Sequence, residues 1–236
     1  MAFVRLMSGL VAATDDGAVL RERGDGRPDE EQVPSIAMAD LVDSFIGTDV
    51  AETTAALHVI AALTADDLLS ARIRRVLPSR RQPVPTLLRD LARVGVRAAT
   101  FMGDQLGDGD NVILSVVWPD GPELTVVVYI DHAIGTRVKD VMLVDEPTAE
   151  VLQAYRELIA AEGLDSGLEP MPLADAWATL EHAMASGEQV DIPWAEDGDW
   201  PASRPLVEML TRSLPSGGSR YGGTAAYPPV EPAAVV

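Results

Sequence analysis

Three strongly β-forming runs lie close together in the middle of the chain. Val112–Trp118 and Leu124–Ile130 are rich in β-branched and aromatic residues, and Val138–Val144 follows after a short polar link. The Pro-Asp-Gly-Pro sequence at 119–122 separates the first two runs and is typical of a turn. Connections this short join antiparallel neighbours, so the pattern predicts a four-stranded meander. The predicted strands cover residues 97–103, 112–118, 124–131 and 138–144.

Apolar residues at helical spacing precede and follow these strands. Asp49, with Glu52 three residues later, can begin a helix that runs to about Leu63, and Pro147 and Gly163 can bound another. The other predicted helices begin near Ser35, Thr64 and Thr86 before the sheet, and near Leu173 and Pro201 after it.

These elements predict an α+β fold: a helical N-terminal layer, a four-stranded antiparallel meander, and C-terminal helices packed on the sheet. A chain of 236 residues is long enough for one substantial core. We expect a flexible tail at 1–34, a single domain at 35–214, and a disordered Gly/Pro-rich tail at 215–236. Within the domain, residues 35–95 are predicted to be helical, 96–145 to form the sheet, and 146–214 to be helical.

Both faces of the predicted sheet are apolar, whereas a sheet with one side in water alternates with polar residues. The second face must therefore be covered, either by helices of the same chain or by a partner. One face carries Val112, Leu114, Val116, Trp118, Val126, Val128 and Ile130, and the other carries Ile113, Val117, Val127, Tyr129, Val141 and Leu143.

Composition limits the classes of function. The net charge of −19 disfavours binding to nucleic acid or anionic membranes, because the field of the whole molecule repels phosphate polymers. The absence of cysteine excludes disulfide scaffolds, thiolate nucleophiles and iron–sulfur clusters, and it fits a cytoplasmic location. No apolar run has the length of a membrane span.

Acidic residues gather at one predicted end of the sheet. In a meander, the 104–110 and 131–137 links emerge together, which brings Asp104 and Asp110 near Asp131 and His132. Carboxylates beside a histidine suit acid–base chemistry or a hard cation, so these four residues are the candidate catalytic set. Asp-Gly pairs are also typical of β-turns, and the GDGDN sequence lacks the spacing of a calcium loop. No residue is assigned as a metal ligand.

Arginines are concentrated in one segment. Residues 72–97 contain a single acidic residue, Asp90, and eight arginines, at positions 72, 74, 75, 80, 81, 89, 93 and 97. One interpretation is a site for an anion or an acidic partner, with Arg74, Arg75, Arg80 and Arg81 as candidates. The favoured interpretation is that these arginines pair with the protein's own surplus of carboxylates.

The remaining chemistry-bearing residues form no recognisable motif. His58 and His182 lie in apolar helical patterns, where a lone histidine is usually a residue at the edge of the core. The sequence has no H-E-x-x-H, G-x-S-x-G, G-x-G-x-x-G or G-x-x-x-x-G-K-[ST] pattern. No cofactor is therefore expected.

One long segment resembles a known group of proteins. LGDGDNVILSVVWPDGPELTVVVYIDHAIGTRVKD at 106–140, together with WPASRPLVE at 200–208, is similar to a family of uncharacterised actinobacterial proteins. The resemblance extends from about Ser35 to the last helix. No activity is assigned to that family, so the resemblance implies only a bacterial origin and one continuous domain.

Two classes of function follow from these observations. The first is a non-enzymatic interaction or accessory protein that binds a protein partner or associates with itself. The alternative is a metal-dependent or acid–base hydrolase that uses the acidic end of the sheet. Nucleic acid and membrane are not expected as partners.

Overall fold

A computed structural model describes residues 1–14, 37–103, 107–118, 121–133, 135–163, 166–189 and 199–220. Its helices are α1 (Ala2–Thr14), α2 (Met38–Gly47), α3 (Ala51–Leu63), α4 (Asp67–Val76), α5 (Thr86–Arg89), α6 (Thr148–Glu162), α7 (Leu173–Gln189) and α8 (Trp200–Arg212). Single 3₁₀ turns cover Leu77–Ser79 and Leu91–Arg93. Its strands are β1 (Gly95–Gly103), β2 (Gly109–Val117), β3 (Glu123–Asp131), β4 (Arg137–Val144) and β5 (Leu168–Met171). The α+β class is confirmed.

The strands form one antiparallel sheet in the order β4-β3-β2-β1-β5. The predicted meander is correct in order but incomplete, because β5 adds a fifth strand beside β1. Pro170 lies inside β5 and pairs with Thr100 of β1. Proline cannot donate to a ladder and is confined to sheet edges, so β5 can exist only as an edge strand.

Helix α3 lies at the centre of the helical layer. Leu57, Ile60 and Leu63 are completely or almost completely buried, and alanines fill half of the other positions. A helix that is apolar on all sides is an interior helix. It packs against α1, α2, α4, α5 and α8, so it is the element around which the other helices are arranged.

The two faces of the sheet are covered by different elements of the chain. The face that carries Val112, Leu114 and Val128 belongs to the main core. Helices α7 and α8 pack against β4, the edge strand of the sheet. On the opposite face, α6 covers Ile113 and Val127, both of which are buried. The chain itself therefore covers these two residues of the second face.

Glu123 fixes α6 to the sheet. Its Oε1 accepts hydrogen bonds from the Ser115 hydroxyl (2.9 Å) and from the backbone amide of Thr148 (3.0 Å), the first residue of α6. A carboxylate at a helix N-terminus satisfies an amide that has no partner within the helix. The bond to the Thr148 amide and the one from Ser115 lower the pKa of Glu123.

The structure differs from the predicted N-terminal tail at residues 2–14, which form α1. Val4 and Met7 are buried in the core, and the Ser8 hydroxyl donates to the carbonyl oxygen of Ala202 in α8 at 2.6 Å. In α1, Val4, Met7 and Val11 follow helical spacing, and all three lie in or against the core. The remainder of that predicted tail lies outside the described residues.

The segment after α8 also contacts the domain within the predicted 215–236 tail. The amide of Ser219 donates to Oδ1 of Asp175 (2.7 Å), and Arg220 lies 3.1 Å from Nε2 of His182. Residues 221–236 lie outside the described residues. Within the described part of the chain, no helix is long and apolar enough to cross a membrane.

Side chains occupy the outer edge of β4. Arg5 of α1 donates to the carbonyl oxygen of Leu143, and Oδ1 of Asp140 accepts from the amides of Val141 (2.8 Å) and Asp199 (3.1 Å). An unprotected strand edge can pair with another chain. Here α1 and the start of α8 cover it.

Candidate functional site

The strand register places both acidic links at one end of the sheet, as predicted. Gly103 pairs with Asp110, Gly109 pairs with Asp131, and Asp131 pairs with Arg137. Asp104 lies outside the described residues.

Asp110 and His132 form a hydrogen-bonded pair at this end. Oδ2 of Asp110 lies 2.6 Å from Nε2 of His132, and Nδ1 of His132 lies 3.1 Å from the Thr136 hydroxyl. The backbone amide of His132 donates to the carbonyl oxygen of Asp108 (2.8 Å), which fixes the histidine at the end of β3. The hydrogen bond to Asp110 raises the pKa of His132, against the opposing effect of burial.

Asp131 has a different partner. Because successive side chains of a strand point to opposite faces, Asp131 lies on the face opposite to Asp110. Its carboxylate binds Lys139 (2.9 Å) and accepts the amide of Ala133 (2.9 Å). Burial raises the pKa of Asp131, but these two donors outweigh it and the net change is downward. Of the three described candidates, Asp110 and His132 therefore pair with each other, whereas Asp131 pairs with Lys139.

Among the described residues at this end, Asp110 and His132 form the pair suited to acid–base chemistry. A carboxylate that holds an imidazole in one orientation is an arrangement used in general base catalysis. Within the described residues, no group of three or more His, Asp or Glu side chains could hold a metal ion.

Arg80 is buried, and its main partners are backbone carbonyls. Its side chain is only 3% exposed. Nη2 donates to the carbonyl oxygens of Phe45 and Ile46 at 2.7 Å, and Nη1 donates to that of Thr48 at 3.1 Å. These carbonyls lie at the end of α2, where the helix leaves acceptors unsatisfied. The expectation that Arg80 pairs mainly with a carboxylate is wrong, because Asp49 is 3.8 Å away and the carbonyls are closer.

The other arginines of the cluster divide into paired and unpaired groups. Carboxylate partners are Asp43 for Arg72, Asp90 for Arg89 and Arg93, and Glu123 for Arg97. Arg74 donates to the carbonyl oxygen of Ala61 at 3.5 Å, and it has no ion pair with another described residue. Within the part of the chain that the structure describes, Arg75 and Arg81 are exposed and have no ion pair. Together with Arg80, whose contact to Asp49 is secondary to its carbonyl partners, five of the eight arginines have a carboxylate within 4 Å, so internal pairing holds for part of the cluster.

A cavity of about 470 Å³ lies between α3, α4 and α5. Three arginines and a histidine line it, and its lining contains no carboxylate. Apolar side chains, together with Thr54 and Gln82, form the rest of the wall. The lining residues are Thr54, His58, Ala61, Ala62, Arg74, Leu77, Pro78, Arg80, Gln82, Val84, Arg89 and Ala92. The arrangement is a positively charged cavity in an acidic protein.

His58 contributes an uncharged imidazole to this cavity. Burial lowers its pKa, the charge of Arg89 lowers it further, and Asp90 partly offsets the change. A neutral imidazole can both donate and accept a hydrogen bond. The cavity therefore offers guanidinium donors and one imidazole that can either donate or accept a hydrogen bond.

Sequence reasoning missed His58 and Arg89 as members of a site. His58 was interpreted as a residue at the edge of the core, and Arg89 as solvated or paired. One signal was present: Thr54, His58 and Ala62 are spaced four residues apart, so they lie on one stripe of α3. The contribution of α4 and α5 to the opposite wall is a tertiary feature that this spacing does not contain.

A second cavity, of about 250 Å³, lies between α1, β4 and α8. Arg5 lines it together with Asp140 and Asp199, so charges of both signs are present. It lacks the uniform charge of the first cavity and includes the contacts that cover the edge of β4.

No protein-family model, curated protein or solved structure matches this chain. A function must therefore be argued from the geometry of its own residues.

Proposed function

We propose that this protein is a non-enzymatic binding protein of the accessory type, and that an anionic group of its ligand binds in the cavity between α3, α4 and α5. The supporting observation is that Arg74, Arg80 and Arg89 line one cavity, while the carboxylates beside it, Asp49 and Asp90, are not among the lining residues and stay 3.8 and 3.9 Å from Arg80 and Arg89. Guanidinium groups are suited to carboxylate and phosphate because their N–H groups form a planar fork.

Each arginine has a distinct role in this proposal. Arg80 supplies charge but few free donors, because carbonyls and threonine hydroxyls already accept its N–H groups. Arg74, with one long contact to Ala61, keeps donors for the ligand. Arg89 lies 3.9 Å from Asp90 and can exchange that distant partner for a bound anion.

The charge of the whole protein makes the cavity selective. A net charge of −19 repels extended polyanions, whereas a single anionic group buried beside three arginines experiences mainly their local field. The exposed Arg75 and Arg81 are close in sequence to the cavity residues and would guide an acidic ligand toward it.

The test is a calorimetric titration with inorganic phosphate at low ionic strength. We expect Arg74→Gln and Arg89→Gln each to weaken binding by about tenfold or more, because each removes a charge-assisted contact worth about 1.5–3 kcal/mol. Arg156→Gln is the matched control, since Arg156 is exposed on α6. Equal losses in all three variants, or no binding to the unmodified protein, would contradict the proposal.

A second candidate is an acid–base hydrolase at the sheet end, and the 2.6 Å contact between Asp110 and His132 favours it. His132 would act as the general base and Asp110 would orient its imidazole. Hydrolysis of a p-nitrophenyl ester that falls by at least about a hundredfold in His132→Gln would support this candidate. A rate equal to that of buffer would exclude ester hydrolysis.

The remaining expectations stay predictions. They are a protein partner or self-association, a cytoplasmic location, and membership of the actinobacterial family that residues 106–140 resemble.

A further inference from the structure

We propose that the ligand of the arginine-lined cavity is a phosphate monoester on a small apolar body, and that His58 binds a proton when it enters. This inference rests on the proposed function and specifies its ligand. It follows from four features of the cavity: its positive charge, the elements that supply its hydrogen-bond donors, its volume and its apolar wall.

The charge of the cavity matches a dianion better than a monoanion. Three guanidinium groups line it, and Asp90, the nearby carboxylate, is shared by Arg89 and Arg93 at 3.9 and 3.8 Å. A carboxylate ligand would carry one negative charge and two oxygens. A phosphate monoester carries about −1.5 to −2 charges at neutral pH and has three acceptor oxygens.

The donors of the cavity come from three different elements. Arg74 belongs to α4 and Arg89 to α5, so they reach the cavity from different elements, while His58 reaches it from α3. A planar carboxylate is satisfied by one fork. A phosphate can accept from two forks and from an imidazole N–H through separate oxygens.

The size and the apolar wall define the rest of the ligand. A cavity of about 470 Å³ falls within the range of small-molecule sites, which is about 300–1,000 Å³. Leu77, Pro78 and Val84 lie along the connector from α4 to α5 and form an apolar side of the cavity. This side has no use in binding inorganic phosphate, but it can contact a ring or a short alkyl group.

The proton follows from the surroundings of His58. Its charged neighbours in and beside the cavity are Arg74 from α4, Arg80 from the turn after it, Arg89 from α5, and Asp90 beyond α5. Burial, and after it the charge of Arg89, lowers the pKa of His58 against the opposing effect of Asp90, so the empty cavity favours neutral imidazole. A bound dianion reverses the local field, which favours imidazolium and adds a charge-assisted hydrogen bond.

The experiment compares phenyl phosphate, benzoate and inorganic phosphate by calorimetry in two buffers that differ in ionisation enthalpy. We expect phenyl phosphate to bind at least about tenfold more tightly than either of the others. The unmodified protein should take up more protons per phenyl phosphate bound than His58→Gln does. The variant isolates the contribution of His58 from the ionisation of the phosphate itself.

A second measurement uses the unmodified protein, so it does not depend on how His58→Gln folds. The imidazole NMR signal of His58 should titrate at higher pH in the presence of saturating phenyl phosphate, while that of His182 should not move. A phosphoserine peptide is a further probe. If it binds more tightly than phenyl phosphate, the inference that the ligand has a small apolar body is overturned.

The outcomes separate this inference from the proposed function. If none of the probes binds, the anion site itself is wrong. If benzoate binds as tightly as phenyl phosphate, or if proton uptake is the same with and without His58, the cavity binds anions but the present inference is overturned.

Discussion

Nε2 of His132 lies 2.6 Å from Oδ2 of Asp110, although 22 positions separate the two residues in the sequence. The pairing of β2 with β3 brings them together: Asp110 is near the start of β2, and His132 directly follows β3. Because the hydrogen bond favours the imidazolium, folding raises the pKa of His132 above 6.5. The energy of this contact is therefore linked to pH.

Asp110→Asn should lower the pKa of His132 and reduce the free energy of unfolding in a pH-dependent way. A raised pKa stabilises the fold fully below the unfolded value of 6.5, and this contribution is lost as pH rises through the folded value. The difference in stability between wild type and variant should thus be larger at pH 6 than at pH 9. Urea unfolding at both pH values, with NMR titration of His132, measures it.

Asp108→Asn is the control for this prediction. Asp108 is exposed in the same link, and its contact with His132 is made by its backbone carbonyl. The control removes the same charge but should leave the pKa of His132 nearly unchanged. Equal shifts in both variants would mean that general electrostatics, not the hydrogen bond, sets the pKa.

Arg80→Ala should reduce the free energy of unfolding by about 2–4 kcal/mol, because it removes several charge-assisted hydrogen bonds to the carbonyl oxygens at the end of α2. Arg80→Lys should also be destabilising, since an ammonium cannot replace a fork that bonds to several oxygens. Arg81→Ala is the control, because Arg81 is the exposed neighbour and should change stability by less than about 0.5 kcal/mol. Chemical denaturation measures all three, and similar losses at 80 and 81 would contradict the prediction.

Glu123→Gln should reduce the free energy of unfolding by about 1–2 kcal/mol at neutral pH, because it removes a charged acceptor from the N-terminus of α6. The lowered pKa of Glu123 gives stability that is present above the unfolded value of 4.5 and lost as pH falls through the folded value. The effect of the substitution should therefore shrink near pH 3. Glu157→Gln, on the exposed side of α6, is the control and should show little effect at either pH.

Gly218→Ala should release the segment after α8 from α7. Gly218 has φ of +81°, and a Cβ there would lie 2.7 Å from the amide nitrogen of Asp175. Gly217 has φ of +100° but open space around it, so Gly217→Ala shares the backbone strain without the overlap. Amide exchange at Ser219, which bonds to Asp175, should accelerate more in Gly218→Ala than in the control. Equal acceleration would show that strain alone controls docking.

The sheet could be predicted because its strands are adjacent in sequence and strongly patterned. The runs around Val112–Trp118 and Leu124–Ile130 carry β-branched residues, and a turn separates them, so local chemistry determined their pairing. Strand β5 was missed because its four residues include Pro170, which is tolerated only at an edge. Its pairing with β1 depends on tertiary contact, not on local preference.

The approximate positions of the helix starts were predicted, but the residues that cap them were not. Asp49 was expected to cap α3, whereas the N-cap residue is Val50, which the Thr53 side chain supports. Asp66, not Thr64, accepts the first amides of α4. Adjacent polar residues compete for a cap, and the choice depends on where the packed helix begins.

The candidate site was predictable only in part. The meeting of Asp110 with His132 followed from strand order, because the turn between β2 and β3 determines which ends coincide. The cavity around Arg74, Arg89 and His58 did not follow, because three helices that are separate in sequence form it. Charge density alone could not distinguish Arg80, which is buried against carbonyls, from its exposed neighbour.

The contact between Ser8 and Ala202 joins helices 194 positions apart. During synthesis, α1 leaves the ribosome long before α8 exists, so Val4 and Met7 of α1 cannot reach part of their final environment until most of the chain is made. Loop closure over such a separation is slow compared with the local pairing of the meander. The central sheet can therefore form early, and the closing of α1 onto α8 completes the fold.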